Sequence, residues 1–159
     1  MTECVFPGSF DPVTKGHMNL ITRAAALFDH VTVTVMVNIR KSGTIPVDKR
    51  IELLEKACSH LSNVDIDRWD GLLADYMHEK KAAVVRGLRS ESEFDHEMEA
   101  FSACRLLDPD FETVFIPSDP LFTGVTSSVV REIAAFGGDI SKFVPEELTE
   151  EISQLLSNR

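Results

Sequence analysis

Apolar residues cluster in five short runs that predict strands: Cys4–Phe6, Val31–Val37, Val64–Ile66, Ala83–Val85 and Thr113–Ile116. The run VTVTVMV, with Thr alternating against Val, is the clearest. Helical spacing fills the gaps. Met18–Phe28 places Met18, Leu20, Ile21, Ala24, Ala25 and Phe28 near the i, i+3, i+4, i+7 positions of one helix face. Val47–Leu61, Leu72–Glu79 and Ser92–Leu107 follow similar patterns. Ser127–Phe136 runs into Gly137-Gly138, a C-terminal stop, and Pro145–Leu156 predicts a last amphipathic helix with Pro145 in its first turn. Strands alternating with helices predict an α/β fold: a five-stranded parallel sheet with helices on both faces. Ligands of such sheets bind beyond the carboxyl ends of the strands, so residues that follow strands are the first candidates for chemistry.

The chain of 159 residues suits a single domain, 1–159, and shows neither an internal repeat nor a linker. It has no run of about 18 apolar residues, so no membrane span is expected. MTECVF lacks the basic segment and roughly 7–15-residue apolar stretch of a signal peptide. Cys4, Cys58 and Cys104 are odd in number and lack metal-ligand spacing. They read as reduced thiols, which predicts a cytoplasmic protein. The net charge of −10 argues against a nucleic-acid or anionic-membrane partner. A small anion remains compatible, because His17, Lys41, Arg86, Arg89 and Arg131 fall at element junctions while the acidic residues fall mostly in helical stretches such as Glu147–Glu151.

The segment FPGSFDPVTKGHMNLI, Phe6–Ile21, joins the first strand to the first helix through about ten residues, longer than the usual two to six. Thr14 is a suitable N-cap, which puts Lys15, Gly16 and His17 in the first turn. Free N–H groups and the helix dipole favour an anion there, and Gly8 and Gly16 leave room for a phosphate to approach the backbone. His17 would aim its ring at the same anion and bond a phosphoryl oxygen whose charge grows during transfer. The alternative is a histidine satisfied by local backbone, with the glycines serving turns alone.

Three further stretches raise the same choice. In VVRGLRSESEFDHEMEAF, Val84–Phe101, a strand ends at Arg86, Gly87 makes the bend and Arg89 precedes a helix. Two arginines at a strand's carboxyl end can hold phosphate oxygens; alternatively they form ion pairs with Glu91, Glu93 or Asp95. In FTGVTSSVVREI, Phe122–Ile133, the hydroxyls of Thr126, Ser127 and Ser128 either help bind an anion at a helix start or only cap it. Arg131 lies one turn on, either assisting or facing solvent. Lys41 sits in Asn38–Pro46, the longest polar connection near the site and the expected lid; by itself it is a solvated lysine.

Thr14-Lys15-Gly16-His17 resembles the T/S-x-G-H signature of the nucleotidyltransferases of the class I aminoacyl-tRNA synthetase-like superfamily. The pattern R-G-L-R-x-x-x-D/E-F-x-x-E from Arg86 to Glu97 is similar to the phosphopantetheine adenylyltransferase family, and with PGSFDPVTKGH, the Lys41 loop, TSSVVRE and FVPEEL the resemblance covers almost the whole chain. It implies a Rossmann-like nucleotidyltransferase fold. It also implies reversible adenylyl transfer from ATP to 4′-phosphopantetheine, giving dephospho-coenzyme A and pyrophosphate by direct in-line attack without a covalent enzyme intermediate. His17 would stabilise the transition state with Lys41 and Arg89. ATP would be held by Ser9, Phe10, His17, Gly87, Leu88, Arg89, Glu97 and the stretch Phe122, Thr123, Gly124, Val125, Thr126, Ser127, Ser128. The phosphopantetheine would meet Ser9, Lys41, Leu73 and Arg86. Mg²⁺ is expected with ATP rather than in a protein cage, and the assembly is expected to be a homohexamer. Ile39, Gly71, Cys104, Thr126 and Phe122–Val125 depart from the family pattern. The rivals are a related adenylyl- or cytidylyltransferase acting on nicotinate mononucleotide or a polyol phosphate, and a non-enzymatic receiver-type module. A receiver wants acidic residues clustered after its first and third strands; here Asp11 follows the first, but the third ends near IDRWD with no partner constellation.

Overall fold

The structure, a computed structural model, describes residues 2–157. Strands β1 (Glu3–Gly8), β2 (His30–Met36), β3 (Val64–Trp69), β4 (Ala83–Leu88) and β5 (Thr113–Pro117) form one sheet in the order β3-β2-β1-β4-β5. Every neighbouring pair is parallel. The α-helices among the described residues are α1 (Lys15–Leu27), α2 (Val47–Cys58), α3 (Leu73–Lys80), α4 (Glu91–Leu107), α5 (Ser127–Ala135) and α6 (Thr149–Ser157). Short 3₁₀ turns lie at Pro120–Phe122 and Glu146–Leu148.

Side chains alternate across a strand, so each central strand feeds two cores. Cys4 and Phe6 of β1 join Leu20, Ile21 and Ala24 of α1, Leu53 and Leu54 of α2, Val130 of α5 and Ile152 of α6. Val5, between them, faces the opposite core with Val84 and with Tyr76 and Met77 of α3. Helices thus cover both faces of the sheet, as expected. The chain builds outward from β1 through β2 to β3, then crosses to the other side of β1 for β4 and β5. The strand order therefore reverses between β1 and β4, the topological switch point where such sheets open a crevice.

The differences from expectation lie at element ends. β4 does not bend at Gly87 but continues to Leu88, because Gly87 pairs with Ile116 and Leu88 with Pro117. β1 likewise runs on to Gly8, opposite Val35. α2 stops at Cys58, where i→i+3 bonds from Ser59 and Leu61 tighten the chain. The last helix opens as a 3₁₀ turn, with the Leu148 N–H bonded to the Pro145 carbonyl, before α6 begins.

Candidate active site

A cavity of about 350 Å³ opens at the switch point, lined by the ends of β1 and β4, the first turn of α1, the turn after β5 and the start of α5. α1 begins with an unusual cap. The Thr14 hydroxyl accepts from the His17 N–H at 3.2 Å, and the Thr14 N–H donates to His17 Nδ1 at 3.0 Å. This is a capping box in which histidine takes the place of the usual Glu or Gln. A backbone N–H can only donate, so Nδ1 is the acceptor and the ring proton resides on Nε2. His17 lines the cavity, and its Nε2–H has no protein acceptor among the described residues. Burial, and secondarily the charge of Arg89, lower the imidazole to about 4. It is an uncharged donor at neutral pH, not a cation. Phe10 packs edge-on against this ring, with centroids 4.9 Å apart, and fits there because a Cβ on Gly8 would lie 3.1 Å from the Phe10 ring.

Arg86 and Arg89 also line the cavity, each held by a glutamate of α4. Arg86 Nε and Nη2 donate to Glu97 at 2.7 and 2.9 Å, and Nη1 reaches the Pro7 carbonyl at 3.3 Å. Arg89 Nε donates to Glu93 Oε1 at 2.8 Å, joined there by Nη2, and the Arg89 N–H donates to Oε2 at 2.8 Å. Burial acts to raise the Glu93 carboxyl, but hydrogen bonds from the Arg89 side chain and backbone outweigh it and hold it below the ordinary carboxylate range.

At the opposite wall, the Thr126 hydroxyl caps α5 by accepting from the Val129 N–H, and the Ser127 hydroxyl donates to the Pro12 carbonyl at 2.7 Å. Helix geometry leaves the Ser127 and Ser128 amides without intrahelical acceptors, beside the positive end of the α5 dipole. A Cβ on Gly16 would lie 3.2 Å from the Val125 carbonyl, so glycine there lets the β5–α5 turn close against α1.

Residues 5–133 match the family model described as cytidylyltransferase-like. The chain is 43% identical to a phosphopantetheine adenylyltransferase of Finegoldia magna, over 99% of this chain and 98% of that one. It is 40% identical to those of Clostridium perfringens (97% and 94% covered) and Shouchella clausii (98% and 98%). The chain belongs to the phosphopantetheine adenylyltransferase family. In shape it also matches, with a TM-score of 0.64 over 99% of this chain and 93% of the other, a Vibrio parahaemolyticus protein provisionally named a nicotinate-nucleotide adenylyltransferase. At 21% identity that likeness speaks for the fold alone.

Of the residues that the adenylyltransferase resemblance singles out, Phe10, His17, Arg86, Gly87, Arg89, Glu97, Phe122, Val125, Thr126, Ser127 and Ser128 line the one cavity. Others do not. Thr123 and Gly124 are exposed outside it, because the bond from the Val125 N–H to the Phe122 carbonyl turns them outward. Ser9 is exposed, its carbonyl accepting from Arg50 Nη1 at 3.0 Å, and Leu88 is the last residue of β4, its carbonyl bonded by the Ser118 N–H. Leu73 lines a small neighbouring cavity of about 30 Å³, which shares Arg86 and Glu97 with the first and includes Cys104. Lys41 is exposed outside both cavities.

Two expected donors are spent on structure. The Lys15 N–H is taken by the Phe143 carbonyl and the His17 N–H by Thr14, so the first turn of α1 is largely satisfied. Arg131 is half-buried and does not line the cavity: its Nη1 donates to the Asp11 carbonyl at 2.7 Å and its Nη2 to Ser128 Oγ at 3.2 Å. Sequence reasoning gave Asn19, Ser118 and Asp119, which also line the cavity, no role. It also missed buried Arg50 and the anchoring task of Asp11. The Asp11 carboxylate accepts the Thr44 and Ile45 N–H groups, both at 2.7 Å, while Arg50 Nε bonds the Ile45 carbonyl at 2.8 Å. The expected lid is therefore pinned at its C-terminal half, leaving exposed Ile39–Ser42 as its tip.

Proposed function

We propose that this chain reversibly transfers the adenylyl group of ATP to 4′-phosphopantetheine, giving dephospho-coenzyme A and pyrophosphate in coenzyme A biosynthesis. One observation carries the reading: an imidazole N–H, two guanidinium groups and the amides opening α5 wall one cavity at the switch point of an adenylyltransferase-family chain. A phosphate oxygen of phosphopantetheine forms the new bond to the α-phosphorus, and the bond to the oxygen bridging the α- and β-phosphates breaks in line. With a second pKa of about 6, the attacking phosphate is already anionic near neutral pH, so no general base is needed. Catalysis then rests on positioning and charge stabilisation. Nε2–H of His17 donates to an oxygen of the transferring group as its charge grows, while Arg89 and Lys41 supply positive charge. The amides of Ser127 and Ser128, with Thr126 and the α5 dipole, hold the leaving pyrophosphate. Arg86 and the loop carrying Lys41 take the acceptor phosphate, and the small cavity at Leu73 and Cys104 takes part of the pantetheine arm.

Mg²⁺ would enter with ATP, held mainly by its phosphates and by water, and would supply charge neutralisation of the polyphosphate. No helix among the described residues is long and apolar enough to cross a membrane, and the three free cysteines suit a reducing cytoplasm. Association into a homohexamer is supported by α4, which buries none of its own residues and exposes Leu106 and Leu107.

Pyrophosphate release from ATP, measured with phosphopantetheine, nicotinate mononucleotide and a polyol phosphate in turn, tests the reading. Release that depends on phosphopantetheine is expected; release with either other acceptor alone overturns it.

A further inference from the structure

Glu93 occupies a position with an ordinary local task that it does not perform. Ser90 is the N-cap of α4, and its hydroxyl accepts from the Glu93 N–H at 3.3 Å. Ser90-Glu91-Ser92-Glu93 is thus an S-x-x-E capping sequence, in which the glutamate ordinarily reaches back to the N-cap N–H. Here the carboxylate passes over the Ser90 N–H and takes Arg89 instead: Oε2 holds the Arg89 N–H, and Oε1 holds Nε and Nη2. One side chain therefore fixes both the backbone and the guanidinium of Arg89 where β4 hands over to α4. The guanidinium is gripped along its Nε/Nη2 edge, so Nη1 is left over, with no acceptor among the described residues, in a side chain that lines the cavity. Glu97, one helical turn on, grips the same edge of Arg86.

We propose that Glu93 is the positioning residue for Arg89: it sacrifices a helix-capping bond to hold the guanidinium with its free edge toward the transferring phosphoryl group. This rests on the assignment of Arg89 to phosphate above. Glu93 itself is an anion beside an anion site, so it opposes ground-state binding of ATP while lowering the cost of orienting Arg89 in the transition state. Its removal therefore separates kcat from KM, which loss of a purely structural residue does not.

The test compares E93A, E93Q, R89A and the double variant R89A/E93A, with steady-state kinetics in ATP and a melting temperature for each; E93Q carries the comparison where E93A does not fold. We expect kcat of the Glu93 variant to fall about tenfold or more while KM for ATP stays level or drops. Added to R89A, the change should cost nothing further, since Glu93 acts only through Arg89. An unchanged kcat in the Glu93 variant, or a loss that persists in full on the R89A background, overturns the proposal. If R89A itself is as active as the wild type, it is the assignment of Arg89 that fails.

Discussion

At the residue scale, the proposed chemistry turns on one ring nitrogen. Because the Thr14 N–H occupies Nδ1, His17 presents a fixed Nε2 donor without paying to reorient during the reaction. The same bond caps α1, so an alanine substitution confuses helix stability with catalysis. His17→Gln separates them: Gln at the third helical position completes the ordinary capping box but offers no ring N–H to the cavity. We expect H17Q to melt close to the wild type and to lose roughly 10²–10³-fold in kcat, the effect of removing one transition-state donor. Near-normal turnover would remove His17 from the mechanism. The uncharged ring makes a second prediction. Its pKa is lowered from 6.5 to about 4, so between those values the folded chain binds fewer protons than the unfolded one. This contribution leaves stability whole above pH 6.5, erodes it as pH falls through the window and is spent near pH 4. Urea midpoints measured against pH should fall more steeply through the window for wild type than for H17Q; parallel curves would mean that the ring is not held neutral.

The elements are assembled around the site by a few buried polar links between loops. Asp11 binds the loop after β2 through its carboxylate and α5 through its carbonyl, so one residue couples the first strand's turn to two others. Asp11→Asn leaves one acceptor oxygen for two amide donors and turns an NH₂ toward the other. We expect a loss of about 1–3 kcal/mol in denaturant unfolding, the cost of an unsatisfied buried group. KM for phosphopantetheine should rise more than KM for ATP, because the freed segment carries Lys41. Equal effects on the two substrates would argue that the loop serves neither in particular. The sequence pattern revealed that this loop was the longest polar connection, but not that its second half is pinned. That depends on Asp11 lying 33 residues before Thr44, a pairing no periodicity encodes.

For the whole molecule, charge and surface decide the remaining behaviour. The chain carries a net charge of −10, yet its cradle pairs both arginines with glutamates of α4. The C-terminal end of α4 exposes two apolar side chains, Leu106 at 87% and Leu107 at 63%, on a helix whose surface is otherwise largely polar. We expect light scattering to report six times the 17.7 kDa chain mass, and Leu106→Glu to lower that mass without lowering the helicity. A wild-type chain that runs as a monomer would refute the hexamer.

Local order was legible in the sequence because it depends on near neighbours. Alternating Val and Thr marked β2, the spacing of Leu20, Ile21 and Ala24 marked α1, Thr14 announced its cap, and Gly137-Gly138 marked the end of α5. Four separate stretches with cationic or helix-starting character at strand ends also pointed to an anion site. Only the tertiary structure decided which donors remain free. Thr126 and Ser127 spend their hydroxyls on a cap and on Pro12, Arg131 spends its guanidinium on Asp11, and Arg86 and Arg89 each have one edge already committed to a glutamate. A hydrogen-bonding group has few valences, and distant residues brought close by folding use them first; what is left over is the binding site.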